Sequence, residues 1–198
     1  MRALKLLLLI VLLLPVAGAQ DKSPLHFAEV ISLKDSEIKI FINRTRQKID
    51  EFQEFIKILA NKSESRERKN LAEREALKLF YPGAIIESTF TGDQGKKETS
   101  TRPIKEYLYR LKILPYTKVQ IDFYDIAYVT TFTKAPDGKY YGTATIFQEM
   151  KGFDGDNMVY TNTTKKEIEV ILENIEDEFY GERRWKIFLG DIKATEVR

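Results

Sequence analysis

An aspartate stands in a row that should otherwise bury apolar side chains. Counting by two gives Val119, Ile121, Phe123, Asp125, Ala127 and Val129, and residues two apart on a strand share one face. A carboxylate carried into such a row loses hydration. Its pKa then rises, which suits a group that takes and returns a proton near neutral pH. A β-bulge at Tyr124-Asp125 gives the other geometry, turning Ile126 and Tyr128 inward and Asp125 toward solvent. Asp125 is the candidate catalytic acid or base, with both arrangements open. Tyr107, Tyr124 and Tyr128 are the candidate ligand-binding residues, and Tyr140 and Tyr141 offer further phenolic donors for a dry cavity. Tyrosines are also ordinary strand residues with one wet end.

The rest of the sequence excludes more chemistry than it offers. The single histidine, His26, precedes the first predicted helix and reads as a surface residue. There is no cysteine, so thiolate catalysis, cysteine metal sites and disulfides are ruled out. Asp154-Gly155-Asp156-Asn157 carries acidic oxygens, but it falls between strand-like runs and reads as a hairpin turn, not a calcium loop. No glycine-rich phosphate loop, Ser–His–Asp set or nucleophile elbow occurs. No metal and no cofactor are expected.

The leader places this chemistry outside the cytoplasm. Arg2 and Lys5 precede the apolar run Leu6 to Leu14, then Pro15 and Ala17-Gly18-Ala19. That is a signal peptide over 1–19 with its cleavage site. The run is shorter than the roughly 20 apolar residues a spanning helix needs. Cleavage leaves 179 of the 198 residues. It also removes two of the 32 basic residues, which balances the remainder against 30 acidic ones. A neutral, charge-mixed surface offers no field for nucleic acid or an anionic membrane. The basic pairs Lys96-Lys97, Lys165-Lys166 and Arg183-Arg184 are expected on solvated faces. Without a lipid-bearing cysteine, the expectation is a soluble periplasmic or extracellular protein of bacterial type.

The predicted elements follow hydrophobic period. After a lead-in over 20–32, one domain is expected over 33–198. Ile38, Ile42, Ile49, Phe52, Ile56 and Leu59 form the stripe of a long helix from Asp35. Ser63 or Ser65 caps a second helix that buries Leu71, Leu77 and Phe80 and stops before Pro82-Gly83. Ala84 to Thr91 and Lys96 to Ser100 read as a strand pair. Thr101-Arg102-Pro103 then starts a short helix, with Pro103 at its first position. Four long segments follow: Thr117–Thr133, Lys139–Met150, Met158–Ile175 and Arg184–Val197. Turn signals between them predict an antiparallel meander. Thr164 to Glu167 matches a helix capping box, yet Ile168, Val170 and Leu172 alternate with glutamates, and a strand is predicted there.

This order of helix, helix, strand pair, short helix and meander resembles the nuclear-transport-factor-2-like fold, also called SnoaL-like. Three segments resemble its small secreted bacterial members: Arg102 to Leu108, Tyr124 to Val129 and Trp185 to Ile192. The resemblance implies an α+β domain whose curved antiparallel sheet, about six strands, wraps a long N-terminal helix with two shorter helices. It also implies a cone with a cavity at its wide end. Enzymes of the fold that pair His with Asp carry the His inside the domain, and this chain has no counterpart. The fold hosts many activities, so three readings follow. The first is a non-catalytic exported module holding a small apolar ligand or a protein partner. The second is an isomerase or lyase using Asp125 with a nearby Tyr. The third is a domain that self-associates as a homodimer through its open sheet face.

Overall fold

Helix α1 (Asp35–Ala60) is seated by one apolar stripe, with Phe41, Ile49, Phe52, Ile56 and Leu59 buried. Thr45 lies in the same stripe, and its hydroxyl donates to the Phe41 carbonyl at 2.8 Å, which removes the cost of burying it. Glu37 turns back to accept from the Lys34 amide at 2.8 Å and closes the first turn. The computed structural model describes residues 33–91, 97–176 and 181–197, and gives only the backbone for residues 90, 91, 97, 125–129, 196 and 197. The leader, the lead-in with His26 and the turn at 92–96 lie outside the described residues. Residues 33–198 form one unit.

Helix α2 (Arg66–Lys78) starts at Ser65, whose hydroxyl accepts from the Arg68 amide. Its buried face corrects the sequence reading: Ala72 and Ala76 are buried, whereas Leu71 is 49% exposed. The small side chains let α2 lie close against α1, and Leu79 and Phe80 complete the apolar contact beyond its end. Leu71 is one residue, or about 100°, round the helix from that face.

The fold is α+β. Seven strands are described: β1 (Ile85–Thr91), β2 (Lys97–Pro103), β3 (Lys118–Val129), β4 (Thr133–Lys134), β5 (Tyr140–Asp154), β6 (Asn157–Glu176) and β7 (Arg183–Val197). They make one curved, unclosed sheet in the order β2-β1-β7-β6-β5-β3, with β4 following β3 along the same edge of β5. All pairings are antiparallel except β1 with β7, which meet in parallel at Ile86 and Ile192. Two-residue β4 is the strand beyond the six expected. It pairs with Tyr140 and Tyr141, because Val129 ends β3 earlier than the sequence reading placed it.

The ambiguous run after Thr164 is a strand: β6 continues to Glu176 and pairs along most of β5 and β7. The predicted Asp154 to Asn157 turn joins β5 to β6, with Gly155 at φ 58°. Helix α3 (Ile104–Lys112) follows β2 without a loop. Pro103 is therefore the last residue of β2, opposite Ile85, and caps α3 where its first helical position was expected. The core lies between α1 and one sheet face. Phe52 sits 5.0 Å from the Phe80 ring and 5.9 Å from the Phe123 ring. Ile146, Ile168, Val170, Leu172, Leu189 and Ile192 form the sheet side.

Candidate functional site

The inward row of the sheet changes character along its length. On β5 it runs Tyr140, Gly142, Ala144, Ile146, Gln148, and on β6 Leu172, Val170, Ile168, Lys166, Thr164. Register pairs Ala144 with Ile168, Ile146 with Lys166, Gln148 with Thr164 and Met150 with Asn162. Apolar pairs therefore give way to polar ones toward the β5–β6 hairpin. A buried polar row needs partners, and here it lines a recess of about 520 Å³.

Four elements bound this recess opposite the β5–β6 surface. Tyr107 and Leu111 come from α3, Leu114 and Tyr116 from the turn after it, and Ser88 and Arg102 from β1 and β2. Much of the wall is apolar, including Leu111, Ile113, Leu114 and Met150. Tyr116 and Tyr160 stack at 5.8 Å. Gly152 permits the packing of Tyr116, since a Cβ there would stand 2.7 Å from the ring. Burial, reinforced by Tyr160, holds the Tyr116 hydroxyl above its usual pKa.

The polar end is held by a network. Asn162 donates to the Thr89 carbonyl at 2.7 Å and to the Tyr160 oxygen at 3.1 Å. Thr164 donates to the Asn162 oxygen at 3.3 Å. Within this frame Lys166 is only 3% exposed. Its ammonium donates to the Glu87 carbonyl at 3.1 Å and stands 5.7 Å from the centre of the Tyr107 ring. Burial lowers the Lys166 pKa to about 8, against the opposing pull of the Glu87 charge. That charge is engaged elsewhere, since the Glu87 carboxylate accepts from the Ala194 amide at 2.9 Å. Tyr107 is buried, and desolvation raises its pKa to about 12 despite a hydrogen bond with Gln148 and the nearby Arg102 charge. At neutral pH it is a phenol, able to donate but not to act as a base.

Two polar atoms at the recess have no hydrogen-bond partner among the described residues. They are the Arg102 Nε and the Ser88 Oγ, both buried. The other end of the Arg102 guanidinium donates to the Ser100 hydroxyl. Buried polar atoms without partners are rare and ask for an explanation.

Of the sequence candidates, Tyr107 lines this recess. Tyr124 is 43% exposed and stacks on Phe147 at 5.7 Å, away from it. Tyr140 is buried, with its hydroxyl accepting from the Leu33 amide and its ring edge-on to Trp185. Tyr141 donates to Asp137 at 2.7 Å in the β4–β5 turn. The side chains of Asp125 and Tyr128 lie outside the described residues. Their backbone lies where the β3–β5 ladder is interrupted: Tyr124 faces Phe147 and Tyr128 faces Thr145, four steps on β3 against two on β5.

Lys166 and Arg102 were missed as site residues. The expectation that the Lys165-Lys166 pair is solvated is overturned for Lys166. The signal was present, because Lys166 is in phase with Ile168, Val170 and Leu172. Arg102 carries no such signal: the sequence reading puts it at a helix start, whereas it lies on β2.

Fold and site together define an α+β domain with a partly apolar recess that carries Lys166, Arg102 and Arg110 at one end of an open sheet. No protein-family model matches the chain, and a search of curated proteins found no similar one. Among the described residues no acidic or histidine cluster could hold a metal ion, and no helix is long and apolar enough to cross a membrane.

Proposed function

We propose that this chain is an exported, non-catalytic binding module of the nuclear-transport-factor-2-like type, holding a small, mainly apolar molecule in the recess beneath α3. The observation that carries this reading is the recess itself. Its 520 Å³ falls in the range of small-molecule sites, and it combines an apolar wall with a few convergent polar groups. The element order and the leader support the family and export parts of the proposal.

Nile red, a neutral apolar dye, tests the binding directly. It is expected to bind with a blue-shifted, enhanced emission. Ser88→Phe puts a ring into the recess and breaks no hydrogen bond of the serine hydroxyl. It should weaken dye binding by about tenfold or more, or ~1.4 kcal/mol, with the circular dichroism spectrum unchanged. Undiminished binding to a folded Ser88→Phe protein would place the dye elsewhere and remove the recess from consideration. Export has its own check. Intact mass of the protein collected outside the cytoplasm should correspond to a chain beginning at Gln20, and a chain retaining Met1 to Ala19 would refute cleavage.

A further inference from the structure

We propose, building on the ligand reading of the recess, that its occupant is an amphipathic carboxylic acid. Arg102 and Lys166 would hold the carboxylate head, and the Leu111, Leu114 and Met150 wall the hydrocarbon body.

The recess holds uncompensated positive charge. Lys166 and Arg102 reach the recess from β6 and β2, and among the described residues no carboxylate lines it. Cations withdrawn from water need a counter-charge to offset lost hydration. Glu87 is the acid whose charge Lys166 feels, but its carboxylate is committed to the Ala194 amide. Arg110, a third cation at the recess, already pairs with Glu106 at 2.9 Å. The protein's own side chains thus leave Lys166 and Arg102 without a direct ion pair among the described residues. The depressed pKa of Lys166 is the same fact seen through its proton, and an anion beside it would draw that pKa back up.

The donor set favours a carboxylate. The Lys166 ammonium has three donors and spends one on the Glu87 carbonyl. Arg102 keeps a free Nε, and a guanidinium edge matches the two oxygens of a carboxylate. The unpartnered Ser88 hydroxyl offers one more donor. A bare inorganic anion would leave the apolar wall unused.

Decanoate, methyl decanoate and decyl phosphate, each displacing bound Nile red at pH 7, test this. Decanoate is expected to bind about tenfold or more tighter than its methyl ester, and tighter than decyl phosphate. That preference should fall several-fold in Lys166→Met and again in Arg102→Gln. An ester that binds as well as the acid would overturn the charge assignment while leaving the recess as a ligand site. Tighter binding of decyl phosphate would overturn the carboxylate head. If Nile red binds but none of the three displaces it, the head-and-tail arrangement fails. If Nile red does not bind either, the ligand reading itself fails. The acid–ester comparison on the unaltered protein needs neither variant to fold, and Arg102→Gln carries the residue-level test should Lys166→Met not fold.

Discussion

Lys166→Met is expected to make the ligand-free protein more stable at pH 7, and the gain should disappear as pH rises. Methionine has similar length and fills the same apolar row without a charge to desolvate. In the folded protein Lys166 titrates at about 8, below its ordinary 10.5. Between those values the unfolded chain binds more protons than the folded one, so stability of the natural protein rises across that window. Below about pH 8 the full penalty is present, and above about 10.5 it is gone. The drop from 10.5 to about 8 corresponds to roughly 3 kcal/mol. Losing the hydrogen bond to the Glu87 carbonyl returns part of this at every pH. Among the described residues, Glu87 on β1 and Tyr107 on α3 face Lys166, and Arg102 on β2 and Arg110 on α3 line the same recess. Burial holds Tyr107 up to about 12, above this window, and its effect is common to both proteins and cancels in the difference. Urea unfolding of both proteins at pH 7 and pH 10 reads the prediction. Parallel pH profiles would mean that Lys166 is solvated and the cationic recess does not exist as described.

A residue that lowers stability and stays in the core row calls for a compensating use, and binding supplies one. An acid seated against Lys166 stabilises the charged ammonium, so binding should draw in a proton near pH 8 and weaken as pH rises beyond it. The same charge therefore destabilises the ligand-free protein and strengthens the complex.

The framework was legible because period survives packing. The α1 stripe, the Ser65 cap, the β6 strand and the hairpin at Gly155 all follow from local spacing. Leu71 misled because helix α2 has two apolar edges, and packing against α1 selected the alanine edge. Sequence spacing gives a stripe's existence but not which neighbour it meets. The site was harder to read for another reason. It is assembled from β1, β2, α3, β5 and β6, and only tertiary register brings Arg102 near Lys166. Of its cations, Lys166 alone stood in a visible apolar phase, and there Lys165 beside it suggested a solvated pair. Tyr107 was legible because it lies on the apolar side of α3.

Phe52→Ala is expected to cost about 3–5 kcal/mol, the range for truncating a buried aromatic residue. Phe52 is 1% exposed and lies where α1, the segment after α2 and β3 meet. Its edge contact with Phe80 and its tilted contact with Phe123 would both be lost. Beside it, the Gln53 side-chain oxygen accepts from the Phe123 amide and ties α1 to β3, so the backbone has little freedom to close the cavity. A domain of this size holds about 5–15 kcal/mol in total, and the variant should be marginal at 25 °C. Leu71→Ala is the matched control, expected to stay within about 0.5 kcal/mol because Leu71 is 49% exposed. Urea midpoints for the two proteins decide the matter, and comparable losses would refute the seating of α2 on α1. The two ends of the sheet should then separate: Phe52→Ala lowers stability while the folded fraction still binds Nile red, and Ser88→Phe weakens binding by about tenfold or more in a protein that remains stable. That separation follows from the gradient along the inward row, where the apolar end under α1 supplies the folding energy and the polar end under α3 spends part of it on a site.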